Sequence, residues 1–441
     1  MPTSNPSAPQ GRGGAARFLG WSQNPGILLA MVGQTFINML GVGIIGPVLP
    51  LYANSFGVSA ALVGLLISSF GIARIPINVP VGALAERIGR RPLLVAGPIL
   101  MAVSAILSGM ATTFGQLIAF RMLQGVGSAF QMTAGMIVVA DISTPRDRGR
   151  TMSTYQGALL LGVSVGPIIG GLVGEQFGYR IPFYVYAALS LCAAAWALLV
   201  VPETKGLTKP ASNPGSESTA AESTAARVGT APAPRTSGWS LLRNRNFLLV
   251  CFVSIAIFFT RSGTQNTILP LLGNDRLGLG PAKLGYAFTA IAVINFLTIS
   301  ASGILCDRYG RKTAIAPSCI LCGLAVISYT FGSSYLHFMA SSVMLGLGTG
   351  VGGPAPAAYV SDLDLPGGRG LTMGVYRTVS DLGMVLGPIL LGAISDRFFY
   401  NAALWVNGLL FVAAGIAFWL FAQETHGRTR LSRPSPAHSA G

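Results

Sequence analysis

Gly82-Ala83-Leu84-Ala85-Glu86-Arg87-Ile88-Gly89-Arg90-Arg91-Pro92 is a short charged turn wedged between two apolar runs. Each run is long enough to cross a bilayer, which takes about 20 apolar residues. A second such turn, Gly303-Ile304-Leu305-Cys306-Asp307-Arg308-Tyr309-Gly310-Arg311-Lys312, lies 221 residues further on. The same offset carries Gly64 onto Gly285 and Gly125 onto Gly346. It carries Asp141, Pro145, Arg148, Gly149, Thr151, Met152 and Tyr155 onto Asp362, Pro366, Arg369, Gly370, Thr372, Met373 and Tyr376, and Gly166-Pro167 onto Gly387-Pro388. A chance match would not persist over such a length. The chain reads as a tandem duplication of one membrane unit, a recurring plan of secondary transporters.

Composition agrees. Apolar residues make up 51% of the chain and charged residues only 10%, outside the range of soluble domains. The net charge of +15 raises the question of a nucleic-acid partner, and the placement of the charge answers it. Of 29 Lys and Arg, 21 fall on the tails, the central connection and one alternating set of turns. Arg180, Arg276, Lys283 and Arg397 fall on the other set, and Arg74, Arg121, Arg261 and Arg377 lie inside apolar runs. Basic residues gather on the cytoplasmic side of membrane proteins, so both termini and the centre are expected there. The partners this implies are the lipid bilayer, including its anionic lipids, and not nucleic acid. Cys192, Cys251, Cys306, Cys319 and Cys322 all lie in or beside apolar runs, which argues against a disulfide framework; Cys319-x-x-Cys322 reads as helix packing.

In chain order, residues 1–25 read as a polar cytoplasmic arm with no cleaved signal peptide. Six spans follow at about 26–50, 61–84, 93–112, 115–140, 151–176 and 181–201. Residues 202–245 are low-complexity and read as a flexible cytoplasmic linker. Six more spans are expected at about 246–272, 282–306, 313–332, 335–361, 370–395 and 401–422, then a basic cytoplasmic tail over 423–441. Domain units of 26–201 and 246–422 result. Gly162, Gly166 and Gly170 fall on one helix face, fit for close packing, with Pro167 bending that helix. Gly41-x-Gly43-x-x-Gly46 matches a dinucleotide fingerprint by letter, but no strand precedes it and it lies within a span. No cofactor or metal site is expected.

Charges inside a span are costly and usually face the bundle interior or a cavity. Here they are Arg74, Arg121, Arg261, Arg377 and Asp381, and polar residues recur on their helix faces: Asn78 near Arg74, Gln124 and Gln131 near Arg121, Gln265 near Arg261. Gln34 and Asn38 extend the wet faces to the first helix. These residues are the expected substrate cavity. Asp381 is the sole carboxylate deep in a span and the best proton carrier. A second reading stays open, because Arg377 one turn earlier could neutralise it as a structural pair. For the turns, Gly82, Glu86, Arg87, Gly89, Arg90 and Gly303, Asp307, Arg308, Gly310, Arg311 can form ion pairs that latch one conformation; the rival reading is that they only set topology.

These motifs carry a resemblance. The turn at 82–92 resembles the loop between the second and third helices of the major facilitator superfamily, and that at 303–312 its eighth-to-ninth counterpart. Arg121-Met122-Leu123-Gln124-Gly125 resembles the fourth-helix motif of proton-coupled members, and Gly162-x-x-x-Gly166-Pro167-x-x-Gly170-Gly171 the fifth-helix antiporter motif of their drug exporters. Glu86 departs from the usual Asp. The resemblance implies an all-α protein of twelve membrane helices in two six-helix repeats, acting as a monomer on a small-molecule substrate and protons. The activity it implies is proton-coupled export of a small organic compound or drug by alternating access, with Arg121 in coupling. An uptake symporter or facilitator is the alternative on the same fold, and four embedded Arg against one Asp keep an anionic solute open. An intramembrane enzyme would need a motif such as His-Glu-x-x-His, and His337, His426 and His438 form none.

Overall fold

The computed structural model describes residues 24–144, 147–205, 241, 243–363 and 368–424. The expected arm, most of the linker and most of the tail lie outside the described residues. So do the side-chain surroundings of Gly303 and Asp307.

The apolar runs form helices that we number by span. They are α1 (Pro25–Ile45, continued by Leu49–Asn54), α2 (Ala60–Ile88), α3 (Arg91–Met110), α4 (Phe114–Asp141), α5 (Arg148–Phe177) and α6 (Ile181–Val200). In the second repeat α7 comprises Arg245–Phe259, a π-helical Thr260–Ile268 and Leu269–Leu277. Next come α8 (Pro281–Tyr309), α9 (Arg311–Ser328) and α10 (Tyr335–Gly352, then Ala355–Asp362). One run, Gly368–Phe421, turns at Phe398 and Phe399; the parts before and after the turn are α11 and α12. Among the described residues ten helices pass on length and apolarity as membrane spans. Dividing the last at its turn and adding α10, interrupted at Gly353-Pro354, accounts for twelve.

The 221-residue repeat reaches into the backbone. Positive φ occurs at Gly57 and Gly278, at Gly89 and Gly310, and at Gly178 and Phe399, each pair one repeat apart. Only the last breaks the rule that such positions favour glycine, leaving Phe399 (φ 66°, ψ 166°) in a strained turn where Gly178 sits without cost. The helix starts repeat too: Thr113 caps α4 through the Gln116 N–H, and Ser334 caps α10 through the His337 N–H.

Within the first half α1 packs on α5 and α6, α3 on α4 and α6, and α2 on α4. In the second, α8 and α9 pack on α10, and the α11–α12 run covers α7 and α9. The glycine face of α5 lets it press against α1: a Cβ at Gly162 would meet Met39 Cβ at 2.9 Å, and one at Gly166 the Gly43 Cα at 2.5 Å. The halves meet along two seams related by the repeat, α2 against α11 and α5 against α8. Cys251, Cys306, Cys319 and Cys322 are buried and free, and Cys192 is free and exposed.

Candidate functional site

The two seams are closed at one end of the bundle. Asp396, at the end of α11, accepts from the first backbone N–H groups of α2, Ala60 (2.8 Å) and Ala61 (2.9 Å). Its repeat counterpart Glu175, at the end of α5, accepts from Ala282 at the start of α8 (3.0 Å). Each carboxylate thus caps a helix of the other half, where the free N–H groups and the helix dipole favour negative charge. Ser68 donates to the Val385 carbonyl (2.6 Å). Gly64 on α2 lies so close to α11 that a Cβ would sit 2.5 Å from the Pro388 carbonyl carbon. These inter-half hydrogen bonds all lie toward the end away from the 82–92 turn. At the turn's own end, the basic end, Glu86, Arg87 and Ile88 of α2 and Gly374, Arg377 and Thr378 of α11 are exposed. The halves are therefore apart at the basic end and together at the opposite one.

Beneath the closed end sits a cavity of about 140 Å³. Val42, Gly43, Ile45, Gly46 and Leu49 of α1, Ile67 of α2, Arg121 of α4 and Val163 and Pro167 of α5 line it from the first half. Gln265 and Asn266 of α7 and Phe288 and Ala292 of α8 line it from the second. Both amides lie on the π-helical stretch, where an i→i+5 pattern re-aims side chains. That stretch is anchored from behind by Asn407 of α12, which donates to Thr260 (2.8 Å) and Thr264 (2.6 Å). Arg121 lies over the Phe70 ring, 5.0 Å from its centroid, and donates to the Gln124 side chain, while its Nε is buried without a partner.

Nearer the basic end, Asp381 is buried at the α2–α11 seam. Arg74 of α2 lies within electrostatic reach of both Asp381 and Arg377, so the pair suggested by sequence becomes a trio spanning both halves. No N–O distance within 4 Å joins Asp381 to either guanidinium among the described ion pairs. Apart from a long contact of Arg74 with Met132 Sδ (3.6 Å), no hydrogen bond among the described residues engages this carboxylate or its two arginines. Arg261, on the same π-helical stretch as Gln265, is exposed between buried neighbours Thr260 and Ser262.

The sequence profile of the Major Facilitator Superfamily matches this chain over residues 31–335 and again over 252–440. The chain belongs to the Major Facilitator Superfamily. Multidrug resistance protein 2 of Bacillus subtilis is 24% identical to this superfamily member over 396 residues, 88% of the chain and 94% of the relative. Quinolone resistance protein NorA of Staphylococcus aureus is 24% identical over 371 residues, 82% of the chain and 88% of the relative. Among solved structures, a bacterial homologue of the human lysosomal transporter Spinster, inward-facing and unoccupied, shares the fold with a TM-score of 0.74 at 16% identity, covering 93% of this chain and 97% of its own. The protein is a multi-pass membrane transporter of the superfamily and not an enzyme.

Not every polar residue expected in the cavity reaches it. Gln34, Asn38 and Gln131 are buried inside the first half and are not among the residues lining this cavity. Gln34 donates to the Leu94 carbonyl (2.8 Å), and Asn38 donates to Gln131. Asn38 and Gln131 thus pair across facing helices of one half, and Gln34 is tied to backbone by its amide nitrogen while its Oε1 is buried without a partner among the described residues. Gln124, also buried, supports Arg121 from behind. Arg121, Gln265 and Pro167 do line the cavity, with Gly166 packed behind them on α1. Asn78 stands half-buried near Arg74 on α2.

At the basic end, the turn is more elaborate than its own charges suggest. Arg90, with its side chain 6% exposed, donates from Nε to Asp141 (3.1 Å) and from a terminal nitrogen to Glu86 (3.0 Å), whose side chain is 66% exposed. One repeat later Arg311 Nε donates to Asp362 (3.3 Å). Gly89 and Gly310 end α2 and α8 at φ of 100° and 99°. The missing Cβ at each admits a carboxylate that sequence reading overlooked. Glu203 accepts from the Arg90 and Arg91 N–H groups (2.9 and 3.1 Å), and Glu424 from those of Arg311 and Lys312 (both 3.0 Å). Burial pushes the Glu203 carboxyl up, but the backbone donors outweigh it and hold it below the ordinary carboxylate range. The available signal was the offset itself: 175 and 396, 141 and 362, and 203 and 424 are all acidic pairs one repeat apart. Arg87 is exposed, and Arg308 lies 5.5 Å from the Tyr309 ring.

Proposed function

We propose that the protein exports a small organic compound across the cell membrane in exchange for protons, by rocking its two halves about the central cavity. The basic end faces the cytoplasm on the positive-inside rule, so the state described is open inward. The observation that carries the reading is Asp381, the one carboxylate deep in the spans, standing at the α2–α11 seam within electrostatic reach of Arg74 of the other half and, among the described ion pairs, without a fixed partner. A coupling group must gain and lose a proton during the cycle. Arg377 shares α11 with Asp381, whereas Arg74 lies on α2 of the other half, so rocking the halves would change which charge faces this carboxylate. Arg121, always charged, can only bias that exchange. The glycine face of α5 pressed on α1, and the multidrug-resistance relatives, support export over uptake. An uptake symporter or facilitator is the second reading, and the unpaired guanidiniums favour an anionic solute for it.

The test is transport in inverted membrane vesicles under an imposed pH gradient. Asp381→Asn is expected to abolish gradient-driven transport while leaving substrate binding intact. The double variant Arg377→Gln with Asp381→Asn removes both charges, guarding against misfolding from a stranded cation. If that double variant regains gradient-driven transport, Asp381 is half of a structural pair and the reading fails.

A further inference from the structure

We infer that the cavity binds an amphipathic organic anion, its acidic group held by Arg121 and its apolar body by Ile67, Val163 and Phe288. This names the substrate class for the transport reading above and rests on it.

The argument starts from what Arg121 lacks. A guanidinium carries five N–H donors and a permanent charge. Among the described residues one neutral acceptor, Gln124, and one ring face, Phe70, attend to it, with Tyr186 within electrostatic reach, while Nε is buried with no partner. An amide and a ring do not neutralise a charge. Arg121 is half-buried, and leaving a cation inside a span uncompensated is costly in a low-dielectric interior. The group that would relieve that cost is an anion matching the planar fork, as carboxylates and other oxyanions do.

The rest of the cavity agrees. Gln265 and Asn266 face the same space from the opposite half and bring amide N–H donors, with no carboxylate among the lining residues to compete. The remaining walls are hydrocarbon, suited to an apolar body and not to a bare inorganic ion. The approach from the basic end passes Arg377 and Arg74, and the π-helical stretch that carries the two amides also carries Arg261. Positive charge in a low-dielectric cleft raises the local concentration of anions. The carboxylate beside that route, Asp381, has Arg74 within electrostatic reach. A cationic substrate would meet four guanidiniums against this one carboxylate.

The test is equilibrium binding to the purified full-length protein in nanodiscs at neutral pH, with three probes sharing one ring system: 2-naphthoate, 2-naphthamide and 2-naphthylmethylammonium. Naphthoate is expected to bind saturably and at least tenfold more tightly than the other two. Arg121→Gln should weaken naphthoate at least tenfold without changing naphthamide, and Arg121→Lys should restore part of the loss. Gln265→Leu should weaken naphthoate less. Naphthamide or the ammonium binding as tightly as naphthoate, Arg121→Gln keeping full affinity, or no saturable naphthoate binding would each overturn the inference. Binding at equilibrium needs no proton gradient. Failure of proton coupling in vesicles with naphthoate selectivity intact sinks only the antiport reading, and the reverse pattern sinks only this one.

Discussion

At the basic end Glu203 and Glu424 accept the first backbone N–H groups of α3 and α9; at the opposite end Asp396 and Glu175 accept those of α2 and α8. The chemistry is the same, a carboxylate on the exposed donors of a helix start. What differs is ownership. Glu203 and Glu424 cap helices of their own half, so these bonds join a half to itself. Asp396 and Glu175 cap helices of the other half, and under the alternating access proposed above they would have to break for the closed end to open. On that proposal an identical interaction is a rivet in one place and a catch in the other, and only the pairing of helices decides which.

Several changes would break or sharpen that contrast. The largest effect is expected where the halves touch backbone to backbone. Gly64→Leu puts a side chain into the Pro388 carbonyl region, where overpacking costs about 1–3 kcal/mol or more. Transport should fall at least tenfold with normal membrane insertion, and spin-label distances across the closed end should lengthen. Unchanged distances would show that the α2–α11 contact does not hold the closed state.

Next come the catches. Each helix-terminal charge is worth about 0.3–1 kcal/mol, so Asp396→Asn combined with Glu175→Gln should shift the closed-to-open ratio roughly 3- to 30-fold. Cysteine accessibility at the closed end reads that ratio directly. A loss of thermal stability with no change in accessibility would make these carboxylates rivets as well.

The smallest effect belongs to the caps within each half. Glu203→Gln should lower the unfolding temperature by a few degrees and leave accessibility at both ends unchanged. The pH dependence has a definite sign. The Glu203 carboxyl is held below its ordinary range, so its contribution is present above the unfolded carboxylate pKa, about 4.3, and is lost as pH falls through the lower folded value. The stability gap between parent and variant should be flat near neutrality and close in acid; a gap that persists in acid points to packing instead of charge.

Much of this architecture is legible from sequence because its signals are local or periodic. Apolar length marks the spans, the turns at 82–92 and 303–312 mark the repeat, and the repeat pairs every positive-φ position. Arg121 and Gln265 lie on the cavity because a charged or strongly polar group in a span tends to face away from lipid. Away from lipid, however, has two meanings. Gln34, Asn38 and Gln131 face inward too, yet toward their own half, where they bond to each other and to backbone. Helical periodicity records which face is polar and is silent on which neighbour it meets. The caps were hidden for a related reason: a Glu near a helix end looks like any solvated residue until the start of another helix is brought against it.

Hydropathy, charge placement and the 221-residue offset mark a membrane-embedded, duplicated chain of twelve spans without any coordinates, and the motif resemblance adds transport. Tertiary structure was needed to see which end is shut, that Arg74 joins Asp381 and Arg377, and that of four acidic residues two cap helices of their own half and two cap helices of the other. The physical reason is that the first set of properties belongs to each helix and its bilayer, whereas the second depends on which helix end, from which half, lies within hydrogen-bonding distance of a given side chain.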